Sequence, residues 1–105
     1  MIEAKQQMRS GWLVVGITGR ADAEAADDLE SALCAAVDRH PKVAADLGAL
    51  DYISSAGLRA VLQAARAAQT KAVQFAVCGM SPPVKKVFQM SGMERLVTIH
   101  GELPC

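Results

Sequence analysis

Val43-Ala-Ala-Asp-Leu-Gly-Ala-Leu-Asp-Tyr-Ile-Ser-Ser-Ala-Gly-Leu-Arg59 reads as a buried strand, a turn and the start of a helix. Lys42 to Leu47 is short and apolar, as a strand covered on both faces should be. Gly48 to Tyr52 carries the glycine and aspartate of a turn region. Ser54 and Ser55 are each plausible N-caps for the helix that follows. In that helix Leu58, Val61, Leu62 and Ala65 form an apolar stripe, with Arg59, Gln63 and Arg66 off it. The segment therefore sets a hydroxyl pair at a helix N-terminus, beyond the carboxyl end of a strand. Unpaired backbone N–H groups and a positive dipole end suit that place to an added phosphate. Open α/β sheets commonly carry their sites there.

The rest of the chain repeats the strand–helix alternation. Upstream, Ile2 to Met8 reads as a first strand and Ser10-Gly11 as a turn. Trp12 to Thr18 is a buried, β-branched strand closed by Gly19. Asp22 looks like the cap of a first helix, with Glu24 in its first turn and Ala26, Leu29, Leu33 and Ala36/Val37 on its core face. His40-Pro41 ends it. Downstream, Ala72 to Cys78 is a strand closed by Gly79. Ser81-Pro82-Pro83 opens a third helix, Val84, Val87 and Phe88 give it a core face, and Gly92 stops it. Leu96 to Ile99 is the last strand. The order is β-β-α-β-α-β-α-β. It implies an α/β fold in one domain over residues 1–105: a mixed, mostly parallel sheet of about five strands with about three or four helices. The first two strands should pair antiparallel.

Composition narrows the function classes. Lysine plus arginine equals aspartate plus glutamate, at eleven each, so the chain lacks the basic surplus of a general nucleic-acid binder or a polybasic membrane anchor. No apolar run approaches the roughly 20 residues that cross a bilayer, and Met1 to Arg9 lacks a signal-peptide apolar region, so the expected compartment is the cytosol. Half of the residues are hydrophobic but few are aromatic, so Val, Leu, Ile, Ala and Met must build the core. Cys34, Cys78 and Cys105 are odd in number and widely spaced, which suggests neither a disulfide framework nor a zinc site. Cys34 and Cys78 read as small core residues. Cys105 has no evident role. His40 and His100 lie at element ends, and no catalytic set follows from spacing, so no enzyme activity and no cofactor are expected. Met80, Met90 and Met93 read as core packing or a soft contact patch.

The central segment, with Leu13–Ile17 and Gly19-Arg-Ala-Asp22 before it, resembles the STAS domain, the fold of anti-sigma-factor antagonists and of the cytoplasmic tails of sulfate transporters. The resemblance covers essentially the whole chain and is most specific from Asp46-Leu47 through Asp51-Tyr-Ile-Ser-Ser-Ala-Gly-Leu-Arg59. It implies a partner-switching role. In that scheme the unphosphorylated antagonist binds a serine kinase of the histidine-kinase-like ATPase fold that doubles as an anti-sigma factor. Phosphorylation of a serine at the helix start releases it, and a metal-dependent serine phosphatase resets it. Here Ala56 stands at the acceptor position of the sporulation-type motif and Ser54 replaces its aspartate. By resemblance the acceptor is Ser55, with Ser54 as second choice, and Asp22, Asp51, Ser54, Ser55, Ala56, Gly57 and Arg59 make the partner surface. Each has a plainer reading: caps for the serines and Asp22, a turn network for Asp46 and Asp51, packing for Gly57, a solvated face for Arg59. A metal held by Asp22, Asp46 and Asp51 is the less favoured reading. The resemblance also leaves open a different class, a STAS subunit of a lipid-transport ATPase complex. A monomer or weak dimer is expected.

Overall fold

The computed structural model describes residues 1–100, with the backbone alone for His100. Cys105 lies outside the described residues. Five strands, β1 (Ile2–Arg9), β2 (Trp12–Ala21), β3 (Lys42–Ile53), β4 (Gln74–Cys78) and β5 (Thr98–His100), form one sheet in sequence order. β1 and β2 pair antiparallel and every other neighbouring pair is parallel. Ser10 and Gly11 make the hairpin with φ of 51° and 86°, the positive angles that a two-residue hairpin needs to match strand twist.

Helices α1 (Ala26–Arg39), α2 (Ser55–Thr70) and α3 (Pro82–Ser91) join the parallel strands. Each crossover steps the sheet one strand in the same direction. Right-handed crossovers that never reverse direction put all three helices on one face. The main core accordingly lies between that face and the helices: Leu13, Val15 and Ile17 of β2, Val43, Ala45 and Leu47 of β3, Leu29 and Leu33 of α1, Val61 of α2 and Phe88 of α3. Fully burying a residue of this kind stabilises by about 1.5–3 kcal/mol. The alternate strand residues Val14, Ala44 and Cys78 form a second, smaller cluster with Trp12 against it. Among the described residues, no helix is long and apolar enough to cross a membrane.

Several boundaries differ from the sequence reading. Gly48 to Tyr52 is not a turn: β3 runs on to Ile53. Its register against β2 slips between Gly16 and Thr18 and again between Gly19 and Arg20. Each slip is a β-bulge, in which one extra residue bends and re-aims the strand. The bulges explain why Leu47, Leu50 and Ile53, three apart, all point inward. α1 begins at Ala26, four residues after Asp22. The last strand starts at Thr98, because Met93–Arg95 winds into a short 3₁₀ turn before it. Pro82 and Pro83 open α3 and Gly92, with φ 77°, closes it, but the Ser81 hydroxyl does not cap: it donates to the Leu50 carbonyl at 3.1 Å. Cys34 is a free thiol. Cys78 is fully buried in the smaller core cluster, as its apolar surroundings implied.

Candidate functional site

The site sits where β2 and β3 end and α2 begins. Ala21 and Ile53 are register partners at the ends of those strands. Ser54 follows Ile53 and takes extended backbone angles, φ −88° and ψ 173°, as an N-cap residue does. Three bonds hold it. Its N–H donates to the Ala21 carbonyl at 2.9 Å, its hydroxyl donates to the same oxygen at 2.9 Å, and that hydroxyl accepts from the Gly57 N–H at 3.1 Å. The cap is therefore also the pin that fastens α2 to β2. Of the two serines that the sequence offered as caps, Ser54 is the one used.

Ser55 is the first residue of α2 and is exposed. Its hydroxyl has no hydrogen-bond partner among the described residues. The first turn of α2 contains no acidic side chain, so nothing there offsets the positive end of the helix. The two serines thus separate by environment: one hydroxyl is committed to structure and the other is free at an anion-friendly helix start.

Gly57 is buried for a geometric reason. A Cβ on it would meet Ile53 Cγ1 at 2.8 Å and the Ala21 carbonyl oxygen at 2.9 Å. Its helical backbone is ordinary, so the demand is for space between α2 and the two strand ends. Ala56 is half-buried beside it. Arg59 is exposed one helical turn after Ser55. Helical side chains lean toward the N-terminus, so Arg59 projects toward the Ser55 end.

The acidic residues divide. Asp22 follows Ala21 directly, and its Oδ1 accepts from the Ala25 N–H at 3.0 Å. It caps the turn that leads into α1 rather than the helix itself. Its Oδ2 lies 3.9 Å from the Met1 amino group. Asp46 Oδ1 accepts from the Gly48 N–H at 2.9 Å and so braces the first bulge. Asp51 is exposed on the second bulge. No group of three metal-ligating side chains gathers among the described residues, and the three aspartates do not converge. The structure brings Asp22, Asp51, Ser54, Ser55, Ala56, Gly57 and Arg59 to one end of the sheet and sets Asp46 apart on β3.

Sequence reading missed one feature here. Arg20 and Tyr52 are cross-strand partners, and the guanidinium lies 4.5 Å from the centre of the Tyr52 ring. Nothing local in the sequence pairs them; only the register of β2 on β3 does. Away from the site, partial burial raises the Cys34 thiol pKa above its ordinary value, with the Glu30 charge adding and Lys71 opposing.

The Ser54 pin has a measurable consequence. Ser54→Ala removes the cap bond and the hydroxyl bond to β2, and should cost about 1.5 kcal/mol. Urea denaturation would show it as a lower midpoint at unchanged slope. An unaltered midpoint would mean that the pin contributes nothing.

Known proteins resemble this chain in sequence and in fold. The family model described as the STAS domain matches residues 2–103. A Bordetella bronchiseptica protein, BtrV, that carries the name of an anti-sigma factor antagonist is 41% identical over 83 residues, spanning 78% of this chain and 72% of that one. An anti-sigma F factor antagonist of Paenibacillus polymyxa is 25% identical over 101 residues, or 94% of this chain and 86% of its own. The crystal structure of an anti-sigma factor antagonist from Mycobacterium paratuberculosis superposes with a TM-score of 0.82 at 25% identity, covering 98% of this chain and 88% of that one. With a family match over nearly its whole length and a five-stranded sheet in the same element order that its sequence implied, the chain belongs to the STAS domain family.

Proposed function

We propose that this protein is an anti-sigma-factor antagonist that works in the cytosol by partner switching. Unphosphorylated, it docks the end of the sheet around α2 on a serine kinase of the histidine-kinase-like ATPase fold, which serves as the anti-sigma factor. The kinase phosphorylates Ser55: the hydroxyl oxygen attacks the γ-phosphorus of the kinase's ATP, ADP leaves, and the hydroxyl proton passes to a base of the kinase. The phosphoprotein lets go, and a metal-dependent serine phosphatase restores it. The chain supplies a substrate hydroxyl and a docking surface and no catalysis of its own.

One observation carries the site assignment: Ser55 is exposed with an unengaged hydroxyl, whereas Ser54 is held by three bonds to β2 and α2. The names of the relatives support the role. The physics supports release without refolding. A phosphoserine adds about −1.5 to −2 charges at neutral pH. At a helix start that charge is stabilised by the dipole and by free N–H groups, so the domain itself tolerates it. Inside a desolvated interface the same charge costs several kcal/mol of binding.

The test is affinity capture from the source cells with the Ser55→Ala chain as bait, which should hold the kinase in its binding state. Recovery of a histidine-kinase-like serine kinase is the expected result. Recovery of a lipid-transport ATPase complex in its place overturns the switch.

A further inference from the structure

We infer that Tyr52, with Arg20 stacked on it, is the anchor of the docking surface beside Ser55, and that the partner receives it in an apolar pocket edged by a carboxylate. This rests on the partner-switching reading above and names a contact that reading does not include.

Tyr52 leaves 40% of its surface exposed, while its neighbour Ile53 is buried. The second bulge of β3 creates this outward aim. Gly19 pairs with Leu50 and Arg20 with Tyr52, so Asp51 is the extra residue and the strand turns at that point. Among the described residues, the other exposed large hydrophobics are Met1, Met8, Met90 and Leu96, none of which lies on the segment leading into α2. Three residues of chain reach at most about 11 Å, so the Tyr52 backbone lies within that distance of Ser55. A standard protein interface covers about 800 Å² per partner, a disc of roughly 16 Å radius. An ordinary partner centred on Ser55 therefore spans the Tyr52 segment of the chain as well.

Arg20 defines the chemistry of what docks. It pairs with no carboxylate; the ion pairs among the described residues are Met1 with Asp22 and Lys71 with Asp38. Its guanidinium is held at 4.5 Å over the Tyr52 ring, so the fork is already oriented and its N–H groups stay available. A rigid aromatic and an oriented arginine, adjacent and unpartnered, are the residue types that dominate binding energy at protein interfaces. The ring calls for an apolar pocket and the guanidinium for a carboxylate at its rim.

The test measures affinity of the purified kinase for the wild-type chain and for Tyr52→Ala, Arg20→Glu and Ser55→Asp, with circular dichroism to confirm folding. Tyr52→Ala should weaken binding at least about tenfold and Arg20→Glu by a similar factor, because charge reversal sets like charges together. If Tyr52→Ala fails to fold, Arg20→Glu decides alone, since it leaves the ring in place. Wild-type affinity in Arg20→Glu and in any folded Tyr52→Ala, with weakened Ser55→Asp, overturns the anchor and leaves the switch standing. Wild-type affinity in all three overturns both.

Discussion

Ser55→Asp should bind the kinase at least about a hundredfold more weakly than the unmodified protein, while Ser55→Ala should bind as tightly as wild type. The factor follows from charge. A carboxylate at position 55 brings a unit of negative charge into the middle of the docked surface, where water that would solvate it has been displaced. A penalty of about 3 kcal/mol is modest for an unpaired buried charge, and each 1.4 kcal/mol is tenfold in affinity. The free domain should barely notice, because the side chain is exposed and the first turn of α2 carries no acid to repel it. Titration calorimetry on the folded variants measures the affinity, and thermal melting measures the indifference of the fold. Ser55→Asp binding at wild-type strength would show that charge at this position is not what releases the partner.

Gly57→Val should lower stability by about 3 kcal/mol, or Tm by about 15 °C in a domain of this size. The substituted Cβ lies 2.8 Å from Ile53 Cγ1 and 2.9 Å from the Ala21 carbonyl oxygen, inside any ordinary contact distance. A change of rotamer would relieve the contact were only Ile53 involved, but Ala21 presents backbone. That oxygen is the one that accepts both Ser54 bonds. Relief of the clash must therefore move α2 away from β2 and loosen the pin. Valine gains a few tenths of a kcal/mol over glycine in helix propensity, too little to offset this. Thermal unfolding would read the loss directly; a Tm within about two degrees of wild type would mean that the strand ends yield freely.

The sequence alone carried the element order, because its punctuation is strong. Ser10-Gly11, Pro82-Pro83 and Gly92 stand where backbone angles or missing donors favour them, and the structure uses each at that place. The second half of β3 was illegible for a definite reason. Two bulges change the inward spacing from two residues to three, so Leu47, Leu50 and Ile53 match neither a strand nor a helix. The start of α1 was misplaced because Asp22 has cap chemistry and does use it, on the turn before the helix.

At the site, the residues alone left open which of the two serines caps α2, and only the family resemblance favoured Ser55 as the acceptor. Either hydroxyl can cap a helix locally. What singles out Ser54 as the cap is the carbonyl of Ala21, which reaches it from a different strand. Arg20 and Tyr52 were hidden in the same way: their meeting depends on register across two strands. Gly57 was readable as a packing glycine, and the clash distances give the reason.

The most direct measurement is phosphosite mapping by tandem mass spectrometry after the purified kinase and ATP have acted on the wild-type chain and on Ser55→Ala. A single phosphate on Ser55, absent from the Ser55→Ala chain, is the predicted result. Phosphate on Ser54, or Ser55→Ala labelled as strongly as wild type, would contradict the division of roles between the two hydroxyls.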